Sequence, residues 1–200
     1  AERSARGWLL GINSNLPDDI NATWASPVDG TFHARYSAVS RSYRYLVLNR
    51  LVRSSLFRHR AWWIHEPRDS QAMADGGAQL LGEHDFSAFR AAGCQSSTPV
   101  REVTSLTVER RGDWVIIDIT ANAFLQHMVR NIAGTLATIG RGEATPDWAA
   151  TVLAGRDRKA AGVAAPAHGL TFMRVDYPAG TGLPPGDGDA AVINDYDSAL

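Results

Sequence analysis

A single cysteine, Cys94, stands in the 200 residues. No internal disulfide is therefore available, and no second Cys lies at metal-ligand spacing, which excludes a secreted stapled fold and a zinc ribbon. The expected role of that thiol is a small buried packing residue. No apolar run approaches the length that spans a bilayer, and Ala1 to Arg6 has neither a charged leader before an apolar stretch nor a cleavage pattern. A soluble, cytoplasmic chain without membrane contact is expected. Neither a Gly-x-Gly-x-x-Gly after a strand nor a phosphate-binding loop occurs, so no nucleotide cofactor is expected. The histidines, among them His33, His65, His84, His127 and His168, are scattered, and none pairs with another His or Cys at metal spacing. No metal is expected either. Gln95-Ser96-Ser97-Thr98-Pro99 offers hydroxyls without the Gly-x-Ser-x-Gly elbow that exposes a serine nucleophile, and reads as a polar turn.

Acid is missing where base is dense. The formal net charge is only −1, yet between Asp29 and Glu66 there is no acidic residue. That window carries Arg35, Arg41, Arg44, Arg50, Arg53, Arg58 and Arg60 among Phe32, Tyr36, Tyr43, Tyr45 and Phe57. Arginine meets phosphate bidentately and stacks on bases, and aromatic rings receive unstacked bases, so the mixture suits nucleic acid. A solvated arginine-rich face is the alternative, in a chain whose only lysine is Lys159. Residues 179–200 hold Asp187, Asp189, Asp195 and Asp197 without a basic residue, among Gly and Pro, and read as a disordered tail.

Periodicity predicts strands and helices in mixed order, an α+β fold with a mostly antiparallel sheet. Trp8, Leu9 and Ile12 space a helix over 6–13, followed by a short strand around Ile20 to Trp24. The chain begins with Ala in what reads as a helix entered midway, so a longer protein is expected, with 1–30 a remnant of a first domain and 31–178 a second. Tyr43 to Leu48 and Trp62 to Ile64 read as strands. Asp69 caps a helix reaching Leu81, weakened by Gly76 and Gly77 and stopped at Gly82. Glu102 to Arg110 and Trp114 to Ile119 form a buried central hairpin through Gly112-Asp113. From Phe124 to Ile139 a helix puts Leu125, Met128, Ile132, Leu136 and Ile139 on one stripe, with Gln126, Arg130 and Gly134 in a row away from it. Arg130 is then either a surface charge or a group aimed at an anion in a cleft. Thr145 as N-cap, Pro146 at the first position and Gly155 past the end frame another helix, and Leu170 to Tyr177 is a closing strand. Glu83 to Arg90 reads as a polar loop or a capped turn.

Several blocks, in order along nearly the whole chain, resemble the A-type tRNA pseudouridine synthases. They are Asn13-Ser14-Asn15-Leu16-Pro17-Asp18-Asp19-Ile20, Phe32 to Ala38 with Arg41-Ser42-Tyr43-Arg44-Tyr45, Gly82 to Phe86 with Phe89-Arg90, and Cys94-Gln95-Ser96 with Thr98-Pro99-Val100-Arg101. The most specific block runs from Asn122 to Ile132, with Gly134. The resemblance implies a pseudouridine synthase fold and an isomerase that breaks the glycosidic bond of uridines in the anticodon stem-loop of tRNA and rejoins the base through carbon. It implies a homodimer and neither a cofactor nor a metal.

The family's nucleophilic aspartate stands in a Gly-Arg-Thr-Asp-Ala-Gly segment with a role akin to the carboxylate of glycoside hydrolysis. That segment is not found here; Gly155-Arg156-Asp157-Arg158 resembles it superficially, and Asp157 reads as a helix-end surface acid. The 200 residues alone are thus expected to be inactive. By resemblance, Tyr43 is the tyrosine that stacks on the flipped uracil and handles a ring proton. Arg130 is the arginine that pairs with the aspartate and favours its ionised form. Arg35, Arg41 and Arg44 are RNA-backbone or local structural arginines, and His33, Phe86 and His127 are further RNA-contacting positions. Gln126, where many relatives have His, and Thr171-Phe172, in place of a tyrosine and an aliphatic residue, depart from the pattern. A non-catalytic RNA-binding relative is the alternative.

Overall fold

The computed structural model describes residues 3–183, so the acidic tail expected over 179–200 lies outside the described residues from residue 184 on. Two compact units divide the described chain, 3–38 with 177–183, and 39–176. In the first, helix α1 (Ala5–Asn13) starts where Ser4 Oγ accepts from the Gly7 amide at 3.2 Å. The strand expected around Ile20 to Trp24 does not form. The Asn13 side chain takes up both backbone groups of Ala22, donating to its carbonyl at 2.9 Å and accepting from its amide at 2.7 Å. A side chain thus satisfies what a neighbouring strand would have. In the same unit the Tyr177 hydroxyl donates to the Ala34 carbonyl at 2.9 Å, and its ring lies 4.9 Å from that of Phe32.

The second unit is α+β. Strands β1 (Ser40–Asn49), β2 (Trp62–Ile64), β3 (Gly82–Asp85), β4 (Val100–Arg111), β5 (Trp114–Ala121) and β6 (Leu170–Asp176) make one sheet in the order β2-β1-β5-β4-β3, with β6 also on β1. The bulky run of β1 suits a pleated, buried surface. Its alternation sends Tyr45 and Val47 into the main core and Leu46 and Leu48 to a smaller cluster with Ala61, Trp114 and Ile116. One side of β1 pairs antiparallel with β5; the other is shared by β6, along Ser40–Tyr45, and by β2, which runs parallel from Val47 to Asn49.

The expected hairpin is present, turning at Gly112 with φ +54°, but only β5 is buried. Most of β4 is exposed, since its residues alternate with Arg, Glu and Thr and its far neighbour is four residues long. That neighbour, β3, was not expected: Gly-Glu-His-Asp is a poor strand sequence, and pairing with β4 overrides propensity.

Asp69 Oδ1 accepts from the amides of Gln71 and Ala72 at 2.9 and 3.0 Å and starts α2 (Ser70–Ala78). The helix ends three residues before the expected Leu81, because Gln79 and Leu80 already bond back three residues and Gly82, at φ +96°, turns into β3. Gly76 and Gly77 allow α2 to approach β4 and the helix that carries Ile139: a Cβ there would lie 2.7 Å from Ile139 Cδ1 and 2.5 Å from Leu106 Cδ2. Removing the cap by Asp69→Ala is expected to cost about 1 kcal/mol. Urea unfolding should show a lower midpoint with an unchanged slope.

Helix α3 (Met128–Gly140) is shorter than expected, since His127 is left-handed at φ 62° and Gln126 and His127 form a turn. Eleven of its 13 residues are buried. A helix apolar or small nearly all round must be covered on more than one side, and α3 packs on the sheet and α2 and beneath the segment 162–166. Helix α4 (Trp148–Gly155) follows a turn in which the Thr145 and Pro146 carbonyls accept from the Trp148 and Ala149 amides. Its left-handed end is Arg156, at φ 54°, rather than a glycine.

Candidate active site

A β-bulge between Ser42 and Tyr43 interrupts the pairing of β1 with β6. Such bulges re-aim the side chain beside them. Tyr43 sits half-buried between two rings, Phe124 at 5.0 Å and Phe172 at 5.2 Å, both edge-on. Burial pushes its phenol above the ordinary tyrosine value, with the nearby Arg41 charge opposing. Phe172, which departs from the family pattern, thereby has a place as one wall of the tyrosine's cradle.

Two residues on, Tyr45 is wholly buried and donates to the Pro166 carbonyl at 2.7 Å. Burial raises its phenol strongly, against the pull of the neighbouring Arg130 charge. Arg130 is clamped by a reciprocal pair of bonds: its Nε donates to the Ala165 carbonyl at 2.7 Å, and the Ala165 amide donates to its carbonyl at 3.0 Å. The two Nη nitrogens bond to no described residue. A guanidinium held by its inner nitrogen with its outer pair uncommitted is set to receive a carboxylate or phosphate side-on.

The segment that holds Arg130 is itself pinned to α3. The Thr135 hydroxyl accepts from the Gly162 amide at 3.1 Å. Asn131, buried, donates to the Phe89 carbonyl at 2.6 Å and accepts from Arg158, whose other Nη donates to the Gly162 carbonyl at 3.0 Å. Gly134 leaves no room for a side chain: its Cβ would lie 1.7 Å from the Val163 carbonyl oxygen. The row from Arg130 to Gly134, expected to turn away from the apolar stripe, does so and is roofed by this strap.

Of the remaining sequence-derived positions, Arg41 lies on β1 and its Nη1 donates to the Asn122 carbonyl at 2.7 Å, just ahead of the segment that carries Phe124 and His127. His127 is exposed in its left-handed conformation. A non-glycine residue held there is a local strain that the fold maintains. Arg44 points to the other face of β1, where Nε and Nη2 grip Asp118 at 2.7 and 2.8 Å; of the two roles expected for it, the local structural one is what this geometry supplies. Phe86 requires correction. It is 0 % exposed, in the core beside Phe89, so its ring cannot stack on RNA.

His33 and Arg35 lie in the other unit. There His33 Nδ1 accepts from the amides of Arg35 and Tyr36, and the Arg35 guanidinium lies 5.8 Å over the Tyr36 ring. Cys94 is only partly buried, its Sγ accepting from the Gln126 amide at 3.4 Å. Asp157 is exposed and caps the Lys159 amide at 2.9 Å, as a surface acid would. Sequence reasoning missed Phe124, Phe172 and the strap; the small and polar run Asn131, Gly134 and Thr135 inside an apolar helix was the available signal.

A family model described as tRNA pseudouridine synthase matches residues 78–178, a stretch that includes β4, β5, α3 and the strap. The chain is 50% identical over 184 residues to the tRNA pseudouridine synthase A of Coxiella burnetii, covering 92% of this chain and 70% of that one. To the protein of the same name from Nitrosococcus oceani it is 50% identical, covering 91% and 70%. To that of Aeromonas hydrophila it is 51% identical, covering 92% and 68%. Identity of this extent covers both the strand that carries Tyr43 and the helix that carries Arg130, and the chain belongs to the tRNA pseudouridine synthase family.

Proposed function

We propose that Tyr43 and Arg130 are the reacting-site residues with which this chain isomerises uridines in the anticodon stem-loop of tRNA. The observation that carries the reading is the clamp on Arg130, which fixes the guanidinium and leaves both Nη nitrogens for a carboxylate. That carboxylate holds the ribose carbon while the base detaches and turns. No aspartate among the 200 residues stands in a Gly-Arg-Thr-Asp-Ala-Gly context, so in this proposal it comes from outside them. Tyr43 stacks on the flipped uracil in its cradle of rings and takes part in moving the ring proton that must leave when the carbon–carbon bond has formed. Arg41 and His127 contact RNA beside the site, and Arg35 and His33 are further RNA-contacting positions. The working form is a cytoplasmic homodimer that needs neither cofactor nor metal.

Unmodified tRNA transcript offered to the 200 residues alone, and to the same residues joined to an aspartate segment, tests this. The expected result is weak binding without isomerisation by the first and pseudouridine in the anticodon stem-loop with the second. Pseudouridine from the 200 residues alone would overturn the assignment of the nucleophile. Binding without product in the longer form would favour the non-catalytic RNA-binding reading.

A further inference from the structure

The basic loop 50–61 crosses the sheet face opposite Tyr43. Phe57 packs there on the small cluster of Leu46, Leu48, Ala61, Trp114 and Ile116, its ring edge-on to Trp114 at 5.0 Å. Between this loop and the sheet edge opens a groove of 260 Å³ whose lining includes Leu48, Arg53, Phe57, Arg58, Trp63 and His168. No acidic residue lines it, and Asp113, at the β4–β5 turn, is engaged by Arg50 at 3.5 Å.

Each wall offers something a nucleic-acid strand uses. The Trp63 indole is half-exposed and fixed in orientation, because its Nε1 donates to the Arg50 carbonyl at 3.0 Å. A fixed, open indole face is a stacking platform for an unpaired base. Arg53 forms no hydrogen bond or ion pair with any described residue, and Arg58, whose Nε donates to His59 Nε2 at 3.0 Å and Nη1 to the Ser55 carbonyl at 3.3 Å, is exposed with its Nη2 left over. Exposed arginines flanking an aromatic platform match a phosphate on either side of a base. The volume is below the roughly 300–1,000 Å³ of small-molecule pockets. It suits one nucleotide of a longer ligand better than a free metabolite.

We infer that this groove is a second RNA-contacting site, taking an unpaired nucleotide of the tRNA substrate with its base on Trp63 and its phosphates on Arg53 and Arg58. The inference rests on the reading that the chain works on tRNA, and it concerns a face that the site around Tyr43 and Arg130 does not reach. Leu51 and Leu56, 79% and 83% exposed on the same loop, make a protein partner the competing occupant. A second copy apposed symmetrically would set this acid-free loop against itself, and like charges so placed repel.

The test is equilibrium binding of unmodified tRNA to the wild type, to Arg53→Glu with Arg58→Glu, and to Trp63→Ala, across a range of salt. The double variant is expected to bind on the order of tenfold more weakly, with a log–log salt slope shallower by about two, given roughly 0.9 per phosphate contact. Trp63→Ala is expected to weaken binding with little change of slope, since stacking releases no counterions. Thermal unfolding of both variants should match the wild type, as these side chains lie outside the core. Wild-type affinity and slope in the folded double variant would overturn the inference while leaving the reading of the main site intact. So would a loss of affinity accompanied by a change in sedimentation mass, which would mark the groove as a protein interface. Absence of salt-dependent tRNA binding by the wild type would sink both.

Discussion

Tyr43→Phe is expected to lower the rate of pseudouridine formation in the active enzyme by about 10²–10⁴-fold, the range that one positioned proton-transfer group contributes, while tRNA affinity changes modestly. The substitution keeps the ring, and with it the edge contacts to Phe124 and Phe172 at 5.0 and 5.2 Å, so stacking on a flipped base survives and only the hydroxyl chemistry is lost. Single-turnover rates at saturating tRNA separate the two contributions. A variant that turns over at the wild-type rate would leave Tyr43 as a stacking residue only.

The protonation state of this hydroxyl is set by burial. Its value lies above 10.0, chiefly through desolvation of the phenolate, so at neutral pH it is a phenol. A group whose folded value is raised binds its proton more tightly in the native state than in the unfolded one. Its contribution to stability is therefore complete below pH 10 and falls away as pH climbs through the raised value. Ultraviolet difference titration of wild type against Tyr43→Phe should show the missing tyrosine ionising only above pH 10. Ionisation of Tyr43 near neutrality would contradict the burial argument and make it a resting base.

The elements most legible in the sequence were those whose period and caps agreed with their environment. The run from Tyr43 to Leu48, the Val and Ile of β5 and the Asp69 cap all said one thing at the local level, and their neighbours in space did not contradict it. The misses share a cause. The strand Gly82–Asp85 exists because β4 offers it a partner, and the stretch around Ala22 is no strand because Asn13 reached its backbone first. Both outcomes were decided across distances that periodicity does not see. Phe86, taken as an RNA contact from the resemblance alone, was misread for a related reason: the turn after β3 drops its ring into the core beside Phe89. At the site, the residue types of Tyr43 and Arg130 could be named from the resemblance. The bulge that aims one and the strap that holds the other lie in backbone geometry that side-chain patterns leave open.

Gly134→Ala carries the strap argument to a measurable end. In an ordinary helix interior the change would stabilise by about 1 kcal/mol, because alanine is the better helix former. Here the added Cβ would lie 1.7 Å from the Val163 oxygen, 2.9 Å from the Val163 carbonyl carbon and 3.3 Å from the Ala165 amide nitrogen. These are backbone atoms, which cannot swing aside as a side-chain end can. The strap must retreat by about 1.5 Å to restore ordinary contact, and it is tied down at Gly162 and again at Pro166 by Thr135, Arg158 and Tyr45. Overpacking of this kind costs about 1–3 kcal/mol, occasionally more, so the expected net effect is destabilisation, with a melting temperature lower by several degrees at roughly 2–4 °C per kcal/mol. Retreat of the strap also moves the Ala165 carbonyl that holds Arg130 Nε, and a displacement near 1 Å at a positioning group costs on the order of 10²-fold in rate. Turnover should therefore fall below what the change in folded fraction explains, when measured at a temperature where the variant is still native. Arg130→Lys, which keeps the charge but loses the Nε bond and the fork of Nη donors, should lose turnover without the fall in melting temperature. If Gly134→Ala melts and turns over like the wild type, the strap yields freely, and the orientation of Arg130 does not depend on it.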